Sequence, residues 1–298
     1  MKSLKGYLFI LGSSLFWGVS ATVAKFLFSQ NVDVVILTQT RLTISFLLMA
    51  AAFLLFRRDL LVIKPRDLYK FFLLGVIGEL GSMFTYYFTI EQTNVATAIL
   101  LQYLAPLFVL AYAAISRTER LTTLKVMLGF FSCAGCLLAI AGNDLSVVTL
   151  NRLGLLSGLC SACCWGFSNV WLRHLLKSYT IWTALVYSLF FASACSMLLS
   201  APWHIAATNY SGSDWLTFIV FSVVSILIPE IFFFSGIKYL TASTAIITAA
   251  MEPVIAIFSA YLFLQEILAP VQIAGALLVI LTVVILQSRH DPIAEAQR

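Results

Sequence analysis

Phe16-Trp17-Gly18-Val19-Ser20 returns 148 positions later as Cys164-Trp165-Gly166-Phe167-Ser168. The register holds around that echo. Lys25 is answered by Arg173 at the same offset, while Pro106 is answered by Pro253 and Glu119 by Glu266 at an offset of 147. The chain is one pattern written twice. A duplicated pattern in an apolar chain points to a pseudo-symmetric membrane carrier that holds its solute where the halves meet.

Composition agrees with that reading. Of 298 residues, 61% are hydrophobic and only 10% charged, with a mean hydropathy of +0.99. Soluble domains carry about 25% charged residues. A membrane-spanning helix needs about 20 mostly apolar residues, and segments of that kind fall at 5–28, 34–56, 69–90, 94–116, 123–142, 153–176, 180–200, 214–237, 241–263 and 269–287. Lipid offers the backbone no hydrogen bonds, so runs of this length must be helical. The sequence therefore predicts an all-α membrane protein of about ten transmembrane helices. Lys2 and Lys5 before an apolar run resemble a signal peptide, but the run is too long and its Trp-Gly core recurs at Trp165-Gly166, so it reads as a retained first helix.

The basic residues orient the chain. With the N-terminus in the cytoplasm, inner segments hold Lys2, Lys5, Arg57, Arg58, Lys64, Arg66, Lys70, Arg117, Arg120, Lys125, Arg173, Lys177, Lys238, Arg289 and Arg298, and outer loops hold only Arg152. Both termini are then cytoplasmic, in a multi-pass protein of the cell membrane. Five helices per half is an odd number, so the two halves, 1–145 and 146–298, enter from opposite sides as inverted repeats around a central cavity. The net charge of +5 needs no nucleic acid as partner, because the basic loop Arg57–Lys70 meets anionic headgroups of the lipid bilayer.

Charges inside the predicted spans are the best pointers to chemistry. Lys25, Arg41, Glu79, Glu230 and Glu252 are the candidates. Each costs about 2.5–3.5 kcal/mol at mid-membrane, or roughly 12–17 kcal/mol for all five unpaired. A net stability of about 5–15 kcal/mol cannot carry that, so some must pair or line water. Helical spacing aligns Thr38, Arg41 and Ser45; Glu79, Ser82, Tyr86 and Thr89; and Thr241, Thr244, Thr248, Glu252 and Ser259. Such stripes should face the bundle interior. Lys25 competes between this role and snorkelling to the outer interface, as Arg173 does to the inner one. The depth of Glu230 depends on where its helix starts relative to Pro229.

Pro106 and Pro253 fall mid-helix, where neither can bond the carbonyl four residues back, on Gln102 and Ala249 respectively. Matched kinks can bend two helices around a site and free those carbonyls. Trp182, Trp203 and Trp215 lie near helix ends and read as interface anchors. Trp17, Trp165, Tyr86 and Tyr87 are deep enough to wall a ligand, with glycine beside each Trp permitting close helix approach. Cys133-x-x-Cys136 and Cys160-x-x-Cys163 read as small-residue packing, and Gly154-x-x-x-Gly158 as a weak helix-packing motif. The candidate solute-binding set is Trp17, Arg41, Glu79, Tyr86, Tyr87, Gln102, Trp165, Thr248 and Glu252, with Lys25, Pro106, Arg173 and Pro253 as gating or kink positions. No metal site or cofactor is expected.

Taken together, the pattern resembles the EamA-type family of the drug/metabolite transporter superfamily. The resemblance rests on Phe16-Trp17-Gly18 and Cys164-Trp165-Gly166, and on the small-residue runs before the central prolines (Ala96–Pro106 and Ser243–Pro253). It rests also on Glu119-Arg120-Leu121-Thr122, with Gln265-Glu266-Ile267-Leu268 in the second half, and on the glycines Gly129 and Gly275 of the closing helices. It implies ten helices in two inverted repeats around a central cavity. It also implies export or import of a small-molecule substrate, amino acids or related amphipathic metabolites. The leading reading is secondary, alternating-access transport, with export a candidate direction, and a carboxylate in a membrane cavity makes a proton a candidate coupling ion. The rivals are weaker. An embedded enzyme lacks any His-Glu-x-x-His, P-loop or Ser-His-Asp set, and a channel lacks a recognisable filter.

Overall fold

The computed structural model describes residues 2–29, 32, 34–93, 95–119, 121–142, 144, 148, 151–198, 210–264 and 268–288. The expectations for the Lys25 side chain, Arg120, Trp203, Glu266, Arg289 and Arg298 lie outside what is described.

The described residues form helices and connecting turns without a strand. In the first half they are α1 (Lys2–Ser29), α2 (Val34–Phe56), α3 (Pro65–Gln92), α4 (Val95–Gln102), α5 (Ala105–Ser116) and α6 (Thr123–Ala141). The second half repeats the order with α7 (Arg152–Leu175), α8 (Ile181–Ser196), α9 (Gly212–Ile237), α10 (Ala242–Ala249), α11 (Met251–Leu264) and α12 (Pro270–Ser288). Several starts follow from local chemistry. The side chains of Thr122, Asn151, Thr180 and Thr241 accept from Lys125, Gly154, Thr183 and Thr244 backbone N–H groups, and Ser211 forms a capping box with Asp214. Among the described residues, eight helical spans can cross a membrane by length and composition, and Ile181–Ser196 is a shorter apolar helix. The chain is a multi-pass membrane protein.

The structure departs from continuous helices in two matched ways. Segment 94–116 breaks at Tyr103–Leu104, and segment 241–263 breaks at Ala250. Each break sits just ahead of its proline, Pro106 or Pro253, because the ring crowds the preceding turn as well as lacking an N–H. The Ala249 carbonyl freed by Pro253 is not left open to solute as expected. Ser14 Oγ of α1 donates to the Ala249 carbonyl at 3.4 Å. The Cys133 and Cys136 thiols, expected only to pack, donate to Tyr103 O at 3.3 Å and Ala250 O at 3.9 Å. A thiol is a weak donor, but here one Cys-x-x-Cys face of α6 serves both broken helices. The second departure is a π-helical stretch within the third helix of each half, Leu74–Gly81 and Val223–Leu227.

Packing is reciprocal between halves. The first helix of each half lies on the third and fourth of the other: α1 on α9, α10 and α11, and α7 on α3, α4 and α5. The second helices α2 and α8 pack together, as do the fifth, α6 and α12. Close approach is built from missing side chains. A Cβ on Gly275 would stand 2.4 Å from Ala139 N and 2.7 Å from Gly135 O. One on Gly18 would stand 2.8 Å from Glu252 O, which sets α1 directly against the break in α10–α11.

The basic segments gather at one end. Trp171 Nε1 donates to Lys70 O at 2.8 Å, Lys64 N donates to the Tyr179 hydroxyl at 3.3 Å, and Gly6 packs on Tyr239 and Leu240. Helix α1 starts at this end, whereas α7 finishes there. At the other end Asn151, which opens α7, donates to the carbonyl of Gln92 at 2.6 Å.

Replacing Gly275 by Ala should force α6 and α12 apart and cost about 1–3 kcal/mol. Thermal unfolding of the purified protein should show the loss. Leu277, 59% exposed on the same helix, should tolerate Ala with little change.

Candidate functional site

The polar stripes do face inward. Thr38, Arg41 and Ser45 of α2 are buried, as are Thr241, Thr244, Thr248 and Ser259 on α10–α11 and Ser82 and Thr89 on α3. Arg41 is the centre. Its Nη1 donates to the Tyr87 hydroxyl at 3.2 Å and its Nη2 to the Ser225 carbonyl at 3.4 Å, while the guanidinium carbon stands 5.0 Å from the Phe221 ring centroid. Ser225 lies in the π stretch of α9, whose irregular backbone turns that carbonyl toward α2. The cation is 8% exposed and its Nε has no acceptor. It is thus held by one phenol, one carbonyl and one ring face, all long or weak contacts. Such a guanidinium retains donor capacity for an incoming anion.

One carboxyl reaches its charge directly. Glu230 of α9 is 6% exposed and in reach of the Arg41 charge. Its carboxyl meets that of Glu79 from α3, and the Ser168 hydroxyl of α7 joins Glu79. Glu252, in the first turn of α11, faces the Tyr103 hydroxyl, with Tyr86 close by. Aromatic rings close the sides. Trp165 lies edge-on to Tyr103 at 5.4 Å, Trp17 lies 5.3 Å from Phe233, and Tyr86 stands 5.3 Å from Tyr87. Gln102 Nε2 donates to Ser82 Oγ at 3.3 Å and Ser161 Oγ at 3.1 Å, tying α4 to α3 and α7.

Of the residues expected to bind solute, the structure therefore brings Trp17, Arg41, Glu79, Tyr86, Tyr87, Gln102, Trp165 and Glu252 to the junction of the halves. Thr248 stays apart: its hydroxyl is fully buried and donates to Thr244 O at 2.7 Å within its own helix. Pro106 and Pro253 flank the junction behind the breaks. Sequence reasoning underweighted Glu230, because Pro229 reads as a helix start when it is in fact embedded in α9. It missed Tyr103 and Ser225 altogether, and met Ser168 only as the echo of Ser20.

A cavity of about 280 Å³ opens nearer the basic end, lined among others by Thr118, Glu119, Trp171, Arg173, Lys177 and Thr241. Arg173 thus lies where the halves meet at this end, not merely at a lipid interface. Beside the cavity, Glu119 Oε2 pairs with Lys125 Nζ at 3.3 Å, both side chains 7% exposed. Lys125 Nζ also donates to Thr241 Oγ1 at 2.7 Å, and Ser243 donates to Glu119 from both its hydroxyl and its backbone N–H. A carboxylate of the first half thus caps the N-terminus of α10 in the second half, where the helix dipole favours it.

Two stretches, residues 4–141 and 152–287, match the EamA-like transporter family. The chain belongs to that family. It is similar to the uncharacterized inner membrane transporter YicL of Salmonella typhimurium, 24% identical over 288 residues and 95% of both chains. It is also similar to the uncharacterized transporter YyaM of Bacillus subtilis, 25% identical over 95% of this chain and 93% of that one. The riboflavin transporter ImpX of Fusobacterium nucleatum is 25% identical over 74% of this chain and 77% of its own. A solved crystal structure shares the fold with a TM-score of 0.77 at 19% identity, covering 94% of this chain and 95% of that one. The protein is a membrane transporter.

Glu119→Ala should strand the buried Lys125 cation and uncap α10, costing about 3–5 kcal/mol of stability, read as a large fall in the unfolding temperature. Arg57→Ala, which breaks the exposed pair with Asp59, should leave the unfolding temperature nearly unchanged, because solvent screens a surface ion pair.

Proposed function

We propose that this chain is an alternating-access carrier of small zwitterionic metabolites, amino acids or related amphipathic compounds, with export as its working direction. In this reading ten spans form two five-helix repeats inverted across the cell membrane, with both termini and the basic end in the cytoplasm. The opposite course of α1 and α7 relative to the basic end supports the inversion, and so does the exchange of first helices between halves. The single observation that carries the carrier reading is the under-coordinated Arg41, walled by aromatic rings and carboxyls drawn from both halves.

The roles follow from charge. Arg41 takes the solute carboxylate through its spare donors. Glu252, beside Tyr103, takes an amine. Trp17, Tyr86, Tyr87 and Trp165 enclose the apolar part, and Gln102 holds the α3–α4–α7 corner that carries the tyrosines. The cavity at Arg173 and Lys177 is the cytoplasmic approach, where its cations draw an anionic group inward. Rocking of one half on the other would then expose the same cluster to either side. A second reading is favoured by the density of aromatic rings and by the name of the Fusobacterium relative: a planar aromatic solute such as a flavin, stacked between Trp17 and Tyr86.

Purified protein in proteoliposomes, assayed with labelled amino acids and riboflavin, should transport at least one of them. Arg41→Ala should lower uptake of the transported solute about tenfold or more, the equivalent of losing about 1.4 kcal/mol of binding. Arg41→Lys should not restore it, because one ammonium cannot serve Tyr87, Ser225 and a carboxylate in the guanidinium geometry. Wild-type uptake by Arg41→Ala would remove this residue from solute binding.

A further inference from the structure

Glu79 and Glu230 are placed unlike any other acidic pair described in the molecule. They come from corresponding helices of the two halves, α3 and α9, and they meet across the junction. Each adjoins a π-helical stretch: Glu79 lies within Leu74–Gly81, and Glu230 follows Val223–Leu227 by three residues. Such stretches leave a helix locally adjustable and occur often at working sites. Gly78 lets α7 come close enough for Ser168 to reach Glu79, since a Cβ there would stand 3.1 Å from Ser168 Oγ.

The donors around this pair do not suffice for two carboxylates. Ser168 serves Glu79. Glu230 Oε2 is buried and has no donor. From α2, Arg41 faces Glu230, but its hydrogen bonds go to Tyr87 and Ser225. An ionised carboxylate only accepts hydrogen bonds, and two such charges in contact repel. One hydrogen between the oxygens removes both difficulties, leaving a single negative charge opposite Arg41.

We propose that Glu79 and Glu230 share one proton and that this proton is the coupling ion of the transport cycle. The inference rests on the carrier reading above. Because the carboxyls belong to different halves, the movement that opens the junction also parts them. On parting, the O–H···O contact breaks and the shared proton passes to water as hydronium, leaving two hydrated carboxylates. Closing the junction on the other side takes one proton back from water. No electrons move and no other reactant is required. Arg41 touches both functions: the cation that receives the solute carboxylate is the one that offsets the pair, so solute binding and proton release compete for it.

Two measurements test this. The first is infrared difference spectroscopy of the protein in lipid at neutral pH, read in the protonated-carboxyl C=O region. Wild type should show a deuterium-sensitive band that disappears in Glu79→Gln and equally in Glu230→Gln, because either amide can donate to the remaining carboxylate. Glu252→Gln should keep it. A band lost in only one of the two variants means one independently protonated acid, and no such band in wild type means no shared proton; either result overturns the proposal. The second measurement is uptake of labelled amino acids or riboflavin with the voltage clamped by potassium and valinomycin. A gradient of one pH unit should drive about tenfold accumulation in wild type and none in Glu79→Gln, which should still exchange solute for solute. Solute transport indifferent to the gradient overturns the coupling. Absence of transport for every solute overturns the carrier reading, while the infrared band still decides the shared proton.

Discussion

Hydrocarbon cannot solvate a charge, and the rest of the structure is arranged around that constraint. Arg41, Glu79, Glu230 and Glu252 lie within apolar spans, and each would be costly against lipid. The junction between the halves is where they come together. Exchange of the first helices builds this junction, since α1 and α7 each close over the third and fourth helices of the opposite half. Glycines permit the approach, and Gly18 brings α1 onto the Glu252 carbonyl. Packing and chemistry are thus one problem here. The contacts that stabilise the two halves against each other also keep the charged groups from lipid.

Duplication, helix content and the inward turn of the polar stripes were legible because each is a periodic property of the sequence. Arg41, Glu79 and Glu252 stood out because a charge in an apolar run has few acceptable explanations. Glu230 was harder to place, since a proline before a glutamate has the pattern of a helix start, and only packing places Pro229 inside α9. Tyr103 and Ser225 were illegible for a different reason. Neutral hydroxyls and carbonyls carry no signal until a neighbouring helix brings a partner, and here the partners come from elsewhere in the chain. The π stretches were equally hidden, because no residue pattern specifies an extra residue in a turn.

The helix breaks show how a motif can be read correctly for the wrong purpose. Pro106 and Pro253 marked the breaks, but Ser14 meets the Ala249 carbonyl that Pro253 releases, and Cys133 and Cys136 meet Tyr103 O and Ala250 O within the breaks themselves. The prolines therefore serve to shape α4–α5 and α10–α11 around the charged cluster, and the neighbouring helices satisfy the backbone that shaping exposes. Glu119 is similar. Its place after the broken helix carried the family resemblance, while its physical role is to join the halves through Lys125, Thr241 and Ser243 at the N-terminus of α10.

The central claim is that the two halves oppose one another across the bilayer around this shared cluster. Its most direct test is sidedness. In a variant whose native cysteines are replaced, single cysteines at Arg58, Arg152, Lys177 and Ser213 can be probed in intact cells with a membrane-impermeant thiol reagent. The account predicts labelling of Arg152→Cys and Ser213→Cys from outside, and of Arg58→Cys and Lys177→Cys only after the membrane is opened. Labelling of Arg152→Cys from the same side as Arg58→Cys would contradict it.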